Sequence, residues 1–201
     1  MIYFTSDTHF GCEMLVENSR TEFGNLEEHD NHLIDRINSK VGRDDRLYIL
    51  GDWCREKPGR YRPRLRCKNL FFILGNHDKE AKIRPCFGGN VWYAKAVKLA
   101  CGNKVVCSHH PQAFWDGSHK GWYHAYGHLH YNRKYEAMMD LGLPGRRSMD
   151  VGVDAARILL GDYEPFSEEE FMAFLGGQKG HDIINPNDRW YGRGHEQAGK
   201  P

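Results

Sequence analysis

Aspartate, asparagine and histidine residues occur in short clusters along the chain, and each cluster follows a stretch that is typical of a β-strand. In chain order these residues are Asp7, His9, Asp52, Asn76, His77, His109, His128 and His130. Open α/β sheets bind their ligands at the edge formed by the carboxyl ends of the strands. We therefore expect these polar side chains to converge on one site, although they are far apart in the sequence.

The residue types and their spacing predict a metal centre. In a loop at the end of a strand, Asp-x-His and His-x-His each allow both side chains to face one ion. Carboxylate, amide and imidazole ligands together suit manganese, iron, zinc or nickel better than an all-oxygen magnesium site. The available ligands exceed the need of one ion, whereas two ions ~3.5–4 Å apart, bridged by one carboxylate, would use them all. The 12 histidines, a high number for 201 residues, agree with this interpretation.

The elements that must position these residues alternate between strand and helix in the first half of the chain. Strands are predicted at residues 2–4, 46–50 and 70–74, and the last one leads directly into Gly75-Asn76-His77-Asp78. Asn25 and Glu28 form a capping pair at the start of an amphipathic helix. A short helical segment is predicted near residues 79–83.

The second half of the chain is richer in strands. Residues 91–100 and 104–108 flank a Cys-Gly-Asn turn and predict a β-hairpin, and residues 148–153 predict one more strand. Ser167 and Glu170 form a capping box for a final helix. This order of elements indicates an α/β fold with two sheets rather than a pure doubly wound sheet. We expect one domain over residues 1–175 and a loosely packed tail over residues 176–201.

The composition excludes several classes of protein. A formal net charge of +1 argues against a global polyanion binder. None of the six cysteines forms a C-x-x-C pair, which argues against a zinc knuckle or a thioredoxin-type site. The start lacks the basic region of a signal peptide, and no apolar run approaches the ~20 residues of a transmembrane helix. We therefore expect a cytoplasmic protein that has no membrane partner.

The clusters, taken in order, resemble the signature of the calcineurin-like metallophosphoesterases. That signature is D-x-H, then G-D, then G-N-H-D/E, then a histidine at a strand end, then G-H-x-H. In this chain it is present as Asp7-Thr8-His9, Gly51-Asp52, Gly75-Asn76-His77-Asp78, His109 and Gly127-His128-Leu129-His130. The resemblance spans Met1 to about Asp154. It is strongest to the small stand-alone bacterial and phage members, whose opening is similar to residues 4–11.

The resemblance implies a fold and a set of ligands. The fold would be a four-layer α/β/β/α sandwich of two mixed sheets flanked by helices. The first ion would be held by Asp7, His9 and His130. The second ion would be held by Asn76, His109 and His128, and Asp52 would bridge both. Manganese is the favoured ion, and iron, zinc, nickel and magnesium are the alternatives.

The resemblance also implies a reaction. The protein would be a metal-dependent phosphoric ester hydrolase that cleaves phosphomonoesters or phosphodiesters by in-line attack of a metal-bridging hydroxide. His77 would not bind metal but would protonate the leaving oxygen, a step typically worth ~10²–10⁴-fold in rate. Asp78 is predicted to orient the His77 ring. The expected substrate is a small phosphoester or a nucleotide.

Two other functions stay open at this point. A nuclease is favoured only by a basic segment, which is otherwise interpreted as a solvated surface and consists of Arg55, Lys57, Arg60, Arg62, Arg64, Arg66 and Lys68. A non-catalytic scaffold on the same fold is disfavoured, because the chain keeps every ligand of the signature. The sequence leaves open the choice between monoesters and diesters, the native metal and the oligomeric state.

Two residues depart from the pattern of the small family members. Cys12 stands where many of them have histidine, and His110 stands where tyrosine is common. Neither change removes a ligand, so both bear on substrate specificity. We interpret His110 as a surface or hydrogen-bonded histidine. The loops at residues 54–67 and 112–125 are expected to set specificity.

Overall fold

The protein is described by a computed structural model that covers residues 1–55, 57–132 and 147–176. Within these ranges the strands form two sheets. The first sheet contains, in spatial order, β4 (Val91–Trp92), β3 (Asn69–Ile73), β2 (Arg46–Ile49), β1 (Ile2–Thr5) and β9 (Phe166–Ser167). The second sheet contains β5 (Ala94–Lys98), β6 (Lys104–Ser108), β7 (Tyr123–Tyr126) and β8 (Ser148–Asp150). The helices are α1 (Glu13–Asn18), α2 (Leu26–Lys40), α3 (Pro58–Tyr61), α4 (Glu80–Phe87), α5 (Val153–Leu159) and α6 (Glu168–Gly176).

Both sheets are mixed. In the first sheet β1 to β4 are parallel and β9 runs antiparallel to β1. In the second sheet β6, β7 and β8 are parallel and β5 runs antiparallel to β6. Two mixed sheets flanked by helices confirm the predicted fold class. The parallel strands of each sheet also direct their carboxyl ends to a common edge, where the polar clusters lie.

Successive residues of the central strands point to opposite faces of the first sheet, and both faces are buried. Leu47 and Ile49 belong to a hydrophobic core that includes Leu33 and Ile37 of α2. The intervening Tyr48 belongs to a second core. That core contains residues from both sheets, among them Ile2, Phe4, Leu50, Val105, Cys107, Ala125 and Met149. The two sheets therefore pack on each other, and α2 covers the outer face of the first sheet.

The two predicted caps are confirmed. Asn25 precedes α2, and its side-chain oxygen accepts a hydrogen bond from the amide of Glu28 at 2.9 Å. Ser167 and Glu170 form a reciprocal capping box at α6, because each side chain accepts a hydrogen bond from the amide of the other residue, at 3.1 and 2.8 Å. Such caps satisfy amides that have no partner inside the helix.

Two predicted strands differ from the observed ones. The first arm of the predicted hairpin is divided, because β4 pairs with β3 in the first sheet and only β5 pairs with β6. Val91 accordingly packs in one core and Val97 in the other. The strand predicted at residues 148–153 ends at Asp150, whose carboxylate accepts a hydrogen bond from the amide of Gly152 at 2.7 Å. Asp154 therefore lies in the first turn of α5.

The C-terminal end of the chain is described only as far as α6. The loosely packed tail predicted for residues 176–201 lies, apart from Gly176, outside the described residues, and the domain boundary at residue 175 stays a prediction. In the described parts of the chain, every helix is too short or too polar to cross a membrane.

Candidate metal centre

The loops that follow β1 and β2 run side by side and carry three of the predicted ligands. The amide of Asp7 donates a hydrogen bond to the Gly51 carbonyl at 3.1 Å, and the amide of His9 donates one to the Asp52 carbonyl at 2.9 Å. The loops that follow β6 and β7 are joined in the same way, since the amide of Gly127 donates to the His109 carbonyl at 2.9 Å. Backbone hydrogen bonds thus hold loops from distant parts of the chain at one edge.

The backbone of these loops adopts a conformation that side chains rarely tolerate. Among the described residues other than glycine, positive φ angles occur at Asp7 (58°), His9 (45°), Asp52 (51°), His128 (72°), His130 (50°) and Tyr131 (51°). Five of these residues are predicted ligands. Such conformations cost about 1–3 kcal/mol each and persist where the surrounding structure imposes them, typically at functional sites. The strain is therefore concentrated at the predicted centre.

Two glycines of the signature allow the loops to approach closely. A Cβ atom at Gly75 would lie 2.6 Å from the amide nitrogen of Asp52 and would also collide with the Asp52 carboxylate. A Cβ atom at Gly127 would collide with the side chains of Ser6 and Asp7. Glycine at these positions is thus required by contact between loops, and the motif carries packing information as well as ligands.

One group of ligand atoms consists of Asp7, His9 and His130, which we call the Asp7 group. One ligand atom of each residue lies within 4.8 Å of the others. Asp7 Oδ1 and His9 Nε2 are buried, are 3.9 Å apart, and have no hydrogen-bond partner within the described part of the chain. A buried polar atom without a partner is costly, and a bound cation would satisfy both atoms at once. The residues of this group therefore fit a metal ion.

A second group consists of Asn76, His109 and His128, which we call the Asn76 group. His109 Nδ1 lies 2.7 Å from the Leu50 carbonyl, which can only accept, so Nδ1 carries a proton. His109 Nε2 points the other way and lies 2.9 Å from Asn76 Oδ1. The His109 and His128 rings are 5.2 Å apart. This group thus presents imidazole and amide ligands to a common space.

Asp52 lies between the two groups. Its Oδ2 atom is 3.5 Å from His9 Nε2 and 3.4 Å from His109 Nε2. Asp7, Asp52 and His109 also have ligand atoms within 4.8 Å of one another. A carboxylate in this position is suited to contact ions in both groups.

Burial and neighbouring charges shift the pKa values of four groups in the centre in opposite directions. Burial raises the pKa of Asp7 above its usual value and lowers the pKa of His9 to about 3. Burial also opposes ionisation of Asp52, but the hydrogen bond and charge of His109 outweigh it and lower the Asp52 pKa to about 2. Burial acts to lower the pKa of His109, yet Asp52 and Asp7 raise it to about 9. In the metal-free protein a proton on His109 therefore balances Asp52, and metal binding would release it.

The two predicted catalytic residues lie in different surroundings. The His77 side chain is 57% exposed, and its Nε2 atom faces Asp52 Oδ2 at 4.0 Å. Asp78 points into the loops: its Oδ2 atom accepts hydrogen bonds from the amides of Asp52 and Gly75 at 2.8 and 2.9 Å, and its Oδ1 atom accepts one from Trp53 at 3.1 Å. These bonds make Asp78 a clamp between two ligand loops. Its predicted action on the His77 ring stays a prediction.

A buried ion pair supports the Asp7 group. Asp154 Oδ2 lies 2.7 Å from His130 Nδ1, which leaves Nε2 of that ring as the ligand atom. The fully buried Arg20 donates two parallel hydrogen bonds to Asp154, at 2.9 and 2.8 Å. Arg20 also donates to the carbonyls of Asp7 and Thr8 at 2.7 and 3.1 Å. One guanidinium therefore positions both ends of the Asp7 group.

Arg20 and Asp154 were not predicted to be site residues. No local pattern marks Arg20, which follows a short helix. The only available signal was the place of Asp154 just after a predicted strand. Beyond Arg20 the network continues through His29, whose Nε2 lies 2.9 Å from Arg20 Nη1, to Asp30 at 3.0 Å and Tyr61.

The other residues noted in the sequence lie around this centre. Cys12 is buried at the start of α1. In the basic segment Arg60 and Arg66 are exposed, and the half-buried Arg64 donates a hydrogen bond to Asn31 at 2.7 Å. His110 is exposed but lies beside His128, with ring centroids 4.3 Å apart.

The chain is similar in sequence to proteins from other organisms. An uncharacterised protein of Methanocaldococcus jannaschii is 29% identical over 191 residues, which are 93% of this chain and 97% of that protein. The Gene 66 protein of Mycobacterium phage L5 is 38% identical over 90 residues, which are 38% of this chain and 39% of that protein.

A solved structure has a similar fold. A protein of unknown function from Aquifex aeolicus aligns with a TM-score of 0.65 and 22% identity, covering 85% of this chain and 96% of that chain. The model of the calcineurin-like phosphoesterase family matches residues 1–165, which include both groups and Asp52. The chain therefore belongs to the calcineurin-like phosphoesterase family and is a metal-dependent phosphoric ester hydrolase.

Proposed function

We propose that the chain binds two divalent ions, one in the Asp7 group and one in the Asn76 group, with Asp52 contacting both. The observation that carries this proposal is the pair of buried atoms Asp7 Oδ1 and His9 Nε2, which have no hydrogen-bond partner among the residues that the structure describes and lie beside Asp52. Asp52 Oδ2 lies at 3.4 Å from His109 Nε2 on the other side. One shared carboxylate between two ligand groups supports a centre with two ions rather than one.

The substrate of the proposed reaction is a small phosphomonoester or phosphodiester, including nucleotides. If both groups held ions, these would neutralise charge on the phosphoryl oxygens and would supply an activated water for in-line attack. The buried Arg20 and Asp154 hold His130 and the Asp7 loop in place during the reaction. The clamp formed by Asp78 does the same for the Asp52 loop. Such preorganised positioning lowers the barrier because nothing must rearrange as charge develops.

His77 is the proposed general acid. Its exposed side chain can meet a substrate, and its Nε2 atom faces the centre at 4.0 Å from Asp52 Oδ2. A proton on Nε2 would be transferred to the departing oxygen of the substrate as the bond to phosphorus breaks.

The proposal is tested by measuring metal content and hydrolysis on the same preparations. The protein is stripped with a chelator and reloaded with manganese, and bound metal is counted by mass spectrometry. Hydrolysis is then measured on an aryl phosphate, a bis-aryl phosphate, cyclic nucleotides, dinucleotides and single-stranded and duplex oligonucleotides. We expect two ions per chain, turnover of the small esters and no turnover after chelation.

The comparison of substrates separates the proposed function from its rivals. Preferred cleavage of oligonucleotides would identify a nuclease, in which the basic segment contacts the phosphate backbone. Two bound ions without turnover of any ester would contradict the assignment of a hydrolase. Full activity after exhaustive chelation would contradict the metal centre itself.

A further inference from the structure

His110 lies beside His109 and His128 of the Asn76 group, although it was not predicted as a ligand. One nitrogen each of His109, His110 and His128 lies within 4.8 Å of the other two. The same proximity relates Asp7, His9 and His130. The His110 ring lies 4.9 Å from that of His109 and 4.3 Å from that of His128, between centroids. Three imidazole rings are therefore close enough together to contact one ion.

The loop that carries His110 is held in place. The buried Ser108 donates a hydrogen bond from Oγ to the His110 carbonyl at 2.8 Å. Two residues further on, the amide of Gln112 donates to Nε2 of the buried His124 at 3.2 Å. These bonds fix the backbone on both sides of His110. Its ring is thus presented to the Asn76 group by an ordered loop, even though the side chain is exposed.

The two groups then differ in chemistry. The Asp7 group contains a carboxylate of its own, whereas the Asn76 group with His110 contains one amide and three imidazoles and shares only Asp52. Imidazole ligands favour zinc, nickel and iron, whereas oxygen ligands favour manganese and magnesium. On the basis of the two-ion centre proposed above, we infer that His110 is a third imidazole ligand of the ion in the Asn76 group. It makes that position selective for a nitrogen-preferring ion such as zinc or nickel.

The test compares metal affinities of the wild type with those of His110→Ala and His110→Gln. Zinc and manganese are titrated into the stripped proteins in competition with a chromophoric chelator, and cobalt(II) is added separately to record its visible spectrum. We expect both variants to bind the zinc ion in the Asp7 group with the same affinity as the wild type. The zinc ion in the Asn76 group should bind at least about tenfold more weakly, because even removal of a residue that only hydrogen-bonds a ligand typically costs ~10–100-fold in affinity. Manganese affinity should change less, and the cobalt spectrum of one ion should change because it loses a nitrogen ligand.

His119→Ala is the matched control, because His119 is an exposed histidine on the turn formed by Ser118–Lys120. It should bind both metals as the wild type does. Circular dichroism and thermal melting of the stripped proteins establish that each variant is folded, and His110→Gln preserves a polar side chain of similar reach.

Unchanged zinc affinities and an unchanged cobalt spectrum in both His110 variants would overturn the inference, and His110 would then be a surface histidine beside the centre. In that case the wild type would still bind two ions and hydrolyse esters. A wild type that binds no pair of ions would instead contradict the proposed function. The two failures are therefore distinguishable.

Discussion

The Asp7 group and the Asn76 group lie at the same edge but are held by different forces. Side-chain charge supports the Asp7 group, because the buried Arg20 and the half-buried Asp154 form an ion pair that contacts His130 and the Asp7 backbone. Hydrogen bonds that involve the backbone support the Asn76 group. The His109 ring bonds to the Leu50 carbonyl, and the Asp78 carboxylate accepts a hydrogen bond from the Gly75 amide next to Asn76.

This difference has consequences for how each group responds to change. Removing one partner of a buried ion pair leaves an uncompensated charge, so the loss is large and abrupt. Removing one of several hydrogen bonds to backbone amides costs less, and the remaining bonds still hold the loop. A single substitution that removes the charge supporting the Asp7 group should therefore lower stability more than a single substitution that removes a hydrogen bond supporting the Asn76 group.

His77→Ala should have the largest effect on turnover, because it removes the proposed general acid. Metal binding should persist, because His77 belongs to neither group of ligands. We expect kcat to fall about 10²–10⁴-fold, the range for loss of general acid catalysis, while both ions stay bound. Steady-state kinetics and metal analysis measure the two effects. His119→Ala should leave the bound metal unchanged. A His77 variant with normal turnover would remove the assigned role.

Arg20→Met tests the dependence of the Asp7 group on charge. Asp154, whose side chain is 18% exposed, would lose the guanidinium that donates two hydrogen bonds to it but would keep its contact with His130. The free energy of unfolding should therefore fall by about 2–3 kcal/mol, less than the ~3–5 kcal/mol typical of breaking a fully buried pair. Urea unfolding of the metal-free protein measures it. Arg157→Met is the matched control, because Arg157 pairs with Glu22 at 2.8 Å but its side chain is 48% exposed, so its loss should cost no more than about 1 kcal/mol. Equal losses in the two variants would contradict the proposed difference between the groups.

Asp78→Ala tests the backbone clamp of the Asn76 group. We expect a loss of about 1.5–3 kcal/mol, since hydrogen bonds to a charged acceptor are lost but the amides can bind water. Hydrogen exchange of the Asp52, Trp53 and Gly75 amides should accelerate, whereas the Arg20 guanidinium should keep its protection. Unchanged exchange at these three amides would show that other contacts hold the loops.

The pH dependence of the metal-free protein should differ between the two groups. The pKa of His109 is raised to about 9, so its stabilisation is complete below about 6.5 and is lost as pH rises through 9. The pKa of His9 is lowered to about 3 by burial, so the folded protein requires a neutral His9 ring. The free energy of unfolding is therefore unaffected by this group above about pH 6.5 and decreases as pH falls towards 3. We expect changes on the order of 1–2 kcal/mol in each direction.

Urea unfolding at pH 5, 7 and 9 in the presence of a chelator measures this dependence. His109→Gln should flatten the alkaline side of the profile and His9→Gln should flatten the acidic side. If either substitution flattened the opposite side, the assignment of the two histidines to these transitions would be wrong.

The convergence of the polar clusters was predictable because it depends on local information. A strand can be identified from a short run of residues, and in a parallel sheet its carboxyl end falls at a known edge. The caps at Asn25 and Ser167 were predictable for the same reason, since each involves residues within one turn. The loops after β1 and β2 therefore met where the sequence indicated.

The division of the predicted hairpin shows where local information ends. Residues 91–100 were predicted as one strand from their composition. Val91, however, packs in the core between the first sheet and α2, whereas Val97 packs in the core between the two sheets. Which core a strand joins depends on partners that are distant in the sequence. The end of β8 at Asp150 was missed similarly, because apolar residues continue beyond it into the first turn of α5.

Strand periodicity and motif spacing depend on residues that are close together in the sequence. The sequence alone was therefore sufficient to predict the class of fold, the order of the ligand motifs and the family of the chain. Only the tertiary structure decided that Arg20 and Asp154 support His130, that Asp78 clamps two loops, and that His110 joins His109 and His128. Arg20 and Asp154 are 134 positions apart. Contacts of that range arise from the packing of whole elements, and no local pattern encodes them.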